Sequence, residues 1–346
     1  MARVGIVGVW YARGAGFACR TIANALKKSG RETSILVRRE TRVDRDGPWT
    51  HPRIHVEEKP GRRTIAEWVE REGLSTVIVF EERDKAIILG LIDAGCKVIH
   101  VVMEDQVRES DIEDGALSLG DRSLIPGPHM GCDFRLPSPR EIDWPLDGFP
   151  PPRKTMPSEQ RAHCLFVGGW SAGGKTSCRK NGDALAVAWK MGHPKRLKLV
   201  VTSQTIGAVE AFKGLDDVQI IEGELPESEV RDLAATAEFV VCPHRRDGLG
   251  LDLFGAVAMG VPVVAPIALS IAWKWAGDAG VPADSLLKDK SGYVLPDVEV
   301  IPEALSAAIK EAWERRAELR DLAGDQRERL VDREQGFAKD LVESLG

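Results

Sequence analysis

Short apolar runs alternate with amphipathic segments in the first third of the chain. Four of the runs are rich in β-branched residues and have the length of buried strands, at 3–9, 33–38, 76–81 and 97–104. The segments CRTIANALKKSG and KAIILGLIDAG between them carry apolar residues at helical spacing. Mostly apolar strands that alternate with helices predict a doubly wound parallel sheet covered on both faces.

The same alternation begins again in the second half. Strand-like runs lie at 164–169, 197–203, 218–223, 238–243 and 261–266, and helical patterns lie at about 183–192, 206–213, 227–236 and 251–259. From about residue 302 the chain is highly charged with apolar residues at helical spacing, which predicts one long helix or two. Between the two halves, the proline-crowded stretch around 135–158 is the predicted linker.

The chain is long enough for two domains, because single cores rarely grow beyond about 250–300 residues and this chain has 346. We therefore predict an α/β protein with two Rossmann-like doubly wound domains that face a cleft. The expected bounds are 1–150 for the first domain, 151–325 for the second, and 326–346 for a C-terminal helix that returns to the first.

Composition narrows the class of protein. The 43% apolar and 29% charged residues are typical of a globular chain, and the formal net charge of −6 disfavours a protein whose main work is to grip nucleic acid. No apolar run approaches the roughly 20 residues of a membrane span, and the first strand begins without a charged leader. The six cysteines are scattered and read as reduced thiols, so we expect a cytoplasmic protein.

One phosphate-binding motif stands directly after a strand. Residues 169–176 spell G-x-x-x-x-G-K-T, the P-loop pattern. In a P-loop the helix begins at the Lys-Thr pair, whereas here SCRKNG intervenes, and no later strand ends in the acidic residue that magnesium needs. A magnesium-dependent nucleotide phosphate enzyme stays as an alternative function.

The signals for a dinucleotide-binding oxidoreductase and for a metal centre are weaker. GAGFAC at 14–19 approximates a dinucleotide fingerprint but lacks the third glycine, and Arg38 and Arg39 could suit a 2′-phosphate or simply end a solvated strand. The histidines show no spacing typical of a metal centre, so no metal is predicted. His100 lies inside an apolar run and is expected to be a satisfied core histidine.

The stretch 226–266, PESEVRDLAATAEFVVCPHRRDGLGLDLFGAVAMGVPVVAP, resembles the donor half of retaining GT-B glycosyltransferases, the group that includes glycogen and sucrose synthases. The family pattern is a short helix, A-D-hydrophobic-P-S, a loop E-G-F-G, and a helix ending E-A-M-A-x-G-x-P-V-V-A. FVGG at 166–169, KNGDALAVA at 180–188 and SGYVLP at 291–296 are similar to further family segments.

The resemblance implies a retaining, metal-independent glycosyltransferase that uses a sugar nucleotide as co-substrate and no other cofactor, with a UDP-sugar as the commonest donor. Lys180 falls on the lysine that neutralises the departing diphosphate, and Asp247 on the first glutamate of the loop, beside the donor sugar. Glu104 lies near the position of a catalytic-region histidine. The implied donor-binding residues are Gly168, Gly169, Lys175, Arg179, His244, Gly248, Leu249, Gly250 and Leu251.

The sequence departs from the family at two positions. Gly255 replaces the second glutamate, which usually grips the ribose hydroxyls, and Gly169 replaces an arginine. Lys175 or Arg179 could supply the lost cation. These departures keep a second alternative open, in which a catalytically degenerate GT-B protein binds a nucleotide without turnover.

Five residues at the carboxyl edge of the first sheet are expected to bind the acceptor: Tyr11, Arg13, Gly14, Gly16 and Glu81. The glycines would let backbone approach a ligand closely. The acceptor itself is left open among a glycan or other small molecule, a lipid-linked carrier, a peptide and a modified DNA base. The oligomeric state is left open as well.

Overall fold

The computed structural model describes residues 3–38, 42–58, 60–103, 107–126, 136–145, 149, 162–169, 179–288 and 292–346. The chain forms two compact units. The first contains Met1–Pro145, Gly292–Leu295 and Arg333–Gly346, and the second contains Leu146–Ser291 and Pro296–Asp332.

The first unit is built on a seven-stranded parallel sheet with the order β3-β2-β1-β4-β5-β6-β7. Its strands are β1 (Arg3–Val7), β2 (Thr33–Arg38), β3 (Ile54–Glu57), β4 (Leu74–Phe80), β5 (Lys97–Val101), β6 (Arg122–Pro126) and β7 (Pro139–Ile142). Its helices are α1 (Gly14–Lys28), α2 (Arg62–Glu72), α3 (Lys85–Asp93) and α4 (Glu109–Glu113). The predicted β-branched runs form the four central strands, whose side chains are almost all buried.

The second unit repeats this plan with a six-stranded parallel sheet in the order β10-β9-β8-β11-β12-β13. The strands are β8 (His163–Val167), β9 (Lys198–Ser203), β10 (Val218–Glu222), β11 (Val240–Val241), β12 (Val263–Pro266) and β13 (Gly280–Ala283), with a separate hairpin of β14 (Ser285–Lys288) and β15 (Asp297–Val300). The helices are α5 (Gly182–Met191), α6 (Glu227–Thr236), α7 (Leu251–Ala258), α8 (Ser270–Ala276) and α9 (Pro302–Glu314); α10 (Arg316–Leu345) begins in this unit.

Both sheets reverse their winding direction at a central strand. In the first sheet the chain runs outward from β1 to β3 and then returns to place β4 on the other side of β1. In the second it runs from β8 to β10 and returns to place β11 beside β8. In open α/β sheets, ligands bind outside the carboxyl ends of the strands at such a switch point. Each unit therefore has one favoured place for a ligand.

Two sequence predictions were wrong in detail. The helix predicted at 206–213 is a series of turns that ends in a short 3-10 segment, Glu210–Phe212, because Gly207 has a φ of +79°, which no right-handed helix accommodates. The proline-crowded stretch predicted as linker from 135 contains β7, an edge strand that pairs with β6. Proline is tolerated on an edge strand, where its missing N–H faces away from the ladder.

The C-terminal region forms two helices, α9 and α10, and the last residues of α10 belong to the first unit. Phe337 packs against Trp144 with ring centroids 5.4 Å apart. Arg140 of β7 forms an ion pair of 2.6 Å with Asp340. Across the part of the chain that the structure describes, no helix has the length and apolar character that a membrane crossing requires.

Candidate functional site

A buried cluster of charged side chains lies at the switch point of the second sheet. Gly168 and Gly169 follow β8, and the loop from His244 to Gly250 follows β11, the neighbouring strand. Lys180 stands two residues before α5 and reaches the same place. The cluster therefore joins the two segments that the sequence singled out as donor-binding.

Four side chains make the cluster: Lys180, His244, Asp247 and Asp252. The Lys180 Nζ lies 2.7 Å from Asp252 Oδ2, 3.4 Å from Asp247 Oδ2 and 3.4 Å from His244 Nε2. The imidazole bridges the two carboxylates, with Nδ1 2.8 Å from Asp247 Oδ2 and Nε2 3.2 Å from Asp252 Oδ2. Each charged group in the cluster is thus within contact distance of an opposite charge and of the imidazole.

Burial makes these contacts strong. The exposed fraction of the side chain is 13% for Lys180, 8% for Asp247, 9% for Asp252 and zero for His244. Burial alone would favour the neutral form of each group, but the neighbouring charges outweigh it. The carboxylates of Asp252 and Asp247 raise the pKa of Lys180, and the contacts with Lys180 and His244 hold the pKa of both aspartates below their usual range. An ammonium and two carboxylates are therefore held ionised.

Local backbone geometry positions these side chains. Asn181 and Gly250, the residues that precede α5 and α7, both adopt the left-handed conformation, with φ of +54° and +62°. Asp247 Oδ1 accepts a hydrogen bond of 2.9 Å from the Gly250 N–H, which closes the loop on itself. The Trp275 indole N–H donates to the Leu249 carbonyl over 2.8 Å and so holds the loop backbone in place. Trp275 therefore has a packing role.

Three atoms in this region have the types and spacing of metal ligands: the Cys242 thiol, a His244 ring nitrogen and an Asp252 oxygen, all within 4.8 Å of one another. Two features oppose a metal ion there. Burial raises the pKa of the Cys242 thiol well above its ordinary value, so the thiolate that a metal prefers is disfavoured. The Lys180 ammonium is already in contact with Asp252 and faces His244. The cation that this site is built around is the ammonium.

The position of the family's second glutamate is filled from another part of the chain. Gly255 lies on α7, and a Cβ added there would stand 2.8 Å from Cε1 of Phe149. The Phe149 ring also packs edge-on against Phe254, and the Arg231 guanidinium lies 5.0 Å from its centroid. An aromatic ring thus lies against the α7 face from which a glutamate would project.

The residues predicted to bind the acceptor gather at the switch point of the first sheet. Arg13 donates a hydrogen bond of 3.0 Å to the Tyr11 hydroxyl, and Gly14 begins α1. A Cβ on Gly16 would overlap the Tyr11 carbonyl oxygen, so the loop after β1 can close over the helix only with glycine there. Tyr11, Arg13, Gly14 and Gly16 therefore form one compact turn.

Glu81 directly follows β4, the strand beside β1, and has an unusual backbone conformation. Its φ is +51°, which costs a non-glycine residue about 1–2 kcal/mol. Burial raises the pKa of the nearby Cys19 thiol to about 12, and the charges of Glu81 and Arg13 act on that thiol in opposite senses, which places both at this edge. By contrast, Glu82 serves its own loop: its Oε1 accepts from Arg83 N, Asp84 N and Arg38.

Of the remaining predicted residues, two lie outside the described part of the chain and the others lie in or beside the loop after β11. Glu104 and Lys175 lie outside the described residues, as does most of the G-x-x-x-x-G-K-T motif. Arg179 is linked to the loop after β11 through its carbonyl, which accepts from Arg245 N over 2.8 Å. Gly248, Leu249 and Leu251 belong to the loop and the start of α7 that carry Asp247 and Asp252.

Four other expectations can be compared with the structure. His100 is buried with Nε2 2.6 Å from the Leu119 carbonyl, so the predicted core histidine is confirmed. The thiols of Cys19, Cys96, Cys164 and Cys242 are free and buried. The next described helix after β8 begins at Gly182, six residues beyond the Thr176 of the P-loop-like motif, whereas a P-loop helix begins at the Lys-Thr pair. Arg38, which was considered for a 2′-phosphate, pairs with Glu82 at 2.6 Å.

Two important residues were missed. Asp252 contacts Lys180 more closely than Asp247 does, and Phe149 occupies the space beside Gly255. The sequence contains one signal for Asp252, an acidic residue in the first turn of a predicted helix. That signal is normally explained by the helix dipole alone.

Comparison with solved structures places this chain among glycosyltransferase folds. The sucrose-phosphate synthase of Thermosynechococcus elongatus superposes with a TM-score of 0.71 at 14% identity, over 99% of this chain and 98% of that one. The lipopolysaccharide glycosyltransferase WaaG gives 0.65 at 12% identity, over 99% of each chain. The pneumococcal O-GlcNAc transferase GtfA, solved with UDP and GlcNAc, gives 0.66 at 8% identity, again over 99% of each.

Sequence comparison adds no relative, since no protein-family model matches the chain. No curated protein sequence matches it either. The structural similarity at such low identity confirms the predicted fold: the chain has the α/β GT-B architecture of two Rossmann-like domains.

Proposed function

We propose that this protein is a retaining glycosyltransferase that moves a sugar from a nucleoside diphosphate, UDP in the first instance, to an acceptor. The single observation that carries the proposal is the meeting of Lys180 and Asp247 at the switch point of the second sheet, beside the start of α7. These are the positions at which the resemblance expects the diphosphate and the donor sugar. The pneumococcal relative was solved with UDP, which supports the choice of base.

The chemistry follows from these positions. The bond between the anomeric carbon and the diphosphate oxygen breaks, and an acceptor oxygen bonds to the same face of that carbon. The acceptor proton passes to the departing diphosphate. Catalysis then depends mainly on stabilising the negative charge that develops on the leaving group, and Lys180, Arg179 and the N–H groups at the start of α7 supply that stabilisation.

The proposed reaction needs no metal ion. A divalent cation would otherwise neutralise the diphosphate, but here the buried ammonium of Lys180 occupies the space between Asp247, Asp252 and His244. Acceptor binding is assigned to Tyr11, Arg13, Gly14, Gly16 and Glu81 at the edge of the first sheet.

Donor hydrolysis tests this function without knowledge of the acceptor. The full chain is incubated with a panel of UDP-, GDP-, ADP- and dTDP-sugars, with and without EDTA, and free sugar and nucleoside diphosphate are measured by mass spectrometry. We expect cleavage of one donor class, unchanged by EDTA and lost in Lys180→Met, and release of the sugar with its anomeric configuration retained. Cleavage that stops with EDTA, or ATP hydrolysis that requires magnesium, would point to the phosphate-enzyme alternative instead.

A second candidate function is binding of a nucleotide without turnover. It is favoured by the ring of Phe149 beside Gly255, where the family has a ribose-binding glutamate. Thermal stabilisation by a nucleoside diphosphate, together with no detectable cleavage of any donor in the panel, would support this function. Any measurable Lys180-dependent cleavage would exclude it.

A further inference from the structure

The charges of the four-residue cluster at the proposed diphosphate position do not add up to a positive site. Lys180 contributes one positive charge, and Asp247 and Asp252 contribute two negative charges. A neutral imidazole on His244 leaves the cluster at −1, and an imidazolium brings it only to zero. The neighbouring Arg179 adds one positive charge, so these five side chains together offer at most one net positive charge to a diphosphate, which carries more than one negative charge.

Asp252 is the residue that cancels the attraction. Its Oδ2 lies 2.7 Å from Lys180 Nζ, whereas the nearest Asp247 oxygen is at 3.4 Å. Asp252 also lies in the first turn of α7, where free N–H groups favour an anion, and its Oδ1 accepts from Leu253 N over 3.2 Å. One carboxylate therefore neutralises both groups that would otherwise bind a phosphate, the ammonium and the helix start.

Asp247 is held differently. Its Oδ1 accepts from Gly250 N and its Oδ2 faces His244 Nδ1, so both oxygens are committed to the loop that carries them. Movement of Asp247 would open that loop. Asp252 is tied to its own helix turn through Oδ1 and to His244 Nε2 through Oδ2 at 3.2 Å, but neither contact closes a loop, so exchanging them for a ligand does not open the backbone.

Resting on the proposed function, we propose that Asp252 is an internal counter-anion: it pairs with Lys180 in the free protein and gives way to the diphosphate of the bound nucleotide. Each binding event then exchanges one ion pair of Lys180 for another. The affinity for the diphosphate is lowered by the free energy of the Lys180–Asp252 pair, and the diphosphate product is released more easily. Asp252 is in this sense a positioning residue that sets affinity.

The test is calorimetric titration of the full chain with UDP and, separately, with inorganic pyrophosphate. In Asp252→Asn the amide keeps the shape of the side chain and removes its charge, and we expect UDP to bind about tenfold or more tightly than to the unaltered chain, or about 1.4 kcal/mol. Asp183→Asn is the matched control, because Asp183 is an exposed first-turn residue of α5 and its removal changes net charge equally. Its affinity for UDP should change less than threefold.

Each result decides a different question. Equal or weaker UDP binding by folded Asp252→Asn, with clear binding by the unaltered chain, overturns the counter-anion and leaves the proposed function intact. If neither form binds UDP, GDP, ADP or dTDP at millimolar concentration, the proposed function itself fails. Should Asp252→Asn not fold, Asp252→Ser serves as the second variant, and circular dichroism checks the fold of each.

Discussion

The carboxyl edges of the two sheets differ in how their charged side chains are held, although the two folds are alike. At the first edge, Arg38 pairs with Glu82 and Asp84 while its side chain is 34% exposed and that of Asp84 is 43% exposed. At the second edge, the charged side chains of Lys180 and its partners are 13% exposed or less. Apart from Glu82, which is 10% exposed, the first edge thus has solvent-exposed charged side chains, whereas the charged cluster at the second edge is buried throughout.

This contrast shows where electrostatic interactions have large effects. Exposed ion pairs contribute little to stability, because water screens the charges and the side chains lose freedom when they pair. In a buried cluster, removal of one partner leaves the other charge buried and uncompensated, which lowers the stability of the fold. The second edge is therefore the place at which single charge substitutions should be most severe, both for stability and for the proposed chemistry.

The largest effects are expected from Lys180→Met. It leaves Asp247 and Asp252 buried without their ammonium, so the free energy of unfolding in urea should fall by about 3–5 kcal/mol. Transfer or donor cleavage should fall about 100-fold or more, since a charge that stabilises the leaving group is lost. Lys190→Met, at an exposed position of α5, is the control and should change stability by about 0.5 kcal/mol at most.

A double substitution separates the two roles of Lys180. Lys180→Met with Asp252→Asn removes the ammonium and its closest carboxylate together, so at least half of the lost stability should return while activity stays absent. Full activity in the stable double variant would show that Lys180 acts only in folding, and the second edge would no longer differ from the first in function.

The next largest effect is expected at Gly255. Gly255→Ala places a Cβ 2.8 Å from Cε1 of Phe149, so the ring must shift, and we expect the free energy of unfolding to fall by about 1–2 kcal/mol. In a Phe149→Ala background the same substitution should instead raise the free energy of unfolding by about 0.5–1 kcal/mol, because the space is then open and alanine favours the helix more than glycine does. If Gly255→Ala lowers the free energy of unfolding equally in that background, contact with Phe149 is not the cause of the loss.

Much of the fold could be predicted from the sequence, because strands of a parallel sheet buried on both faces read as continuous β-branched runs. Two of the strands that were missed lack this property. β3 has four half-buried residues, IHVE, and β7 is a proline-containing edge strand. The helix predicted at 206–213 failed through one backbone angle, the positive φ of Gly207, which apolar spacing does not encode.

The site was predicted only as far as local motifs reach. Lys180, His244 and Asp247 lie within the segments that carry the family resemblance, and the structure brings them together. Asp252 was missed because a first-turn aspartate already has a sufficient explanation in the helix dipole. Phe149 was missed because it reaches Gly255 from a proline-crowded stretch far earlier in the chain, and no periodicity links the two.

The smallest effect, and the sharpest test of the first edge, is expected from Glu81→Gly. Glycine adopts the φ of +51° without strain but loses more backbone entropy on folding, so the net gain in the free energy of unfolding should be about 0.5–1 kcal/mol. If Glu81 is kept for the acceptor, the more stable variant should transfer sugar more slowly, as is common where strain is held at a functional site.

The control for Glu81 is a second left-handed residue away from either switch point. Arg196 has a φ of +77° at an exposed position before β9, so Arg196→Gly should give a similar gain in stability with unchanged activity. Glu81→Gln, which keeps the strain and removes the charge, should lose activity without gaining stability. If Glu81→Gly and Arg196→Gly behave alike in both measurements, the strain at Glu81 has no functional role, and the first edge carries its acceptor contacts through Tyr11 and Arg13 instead.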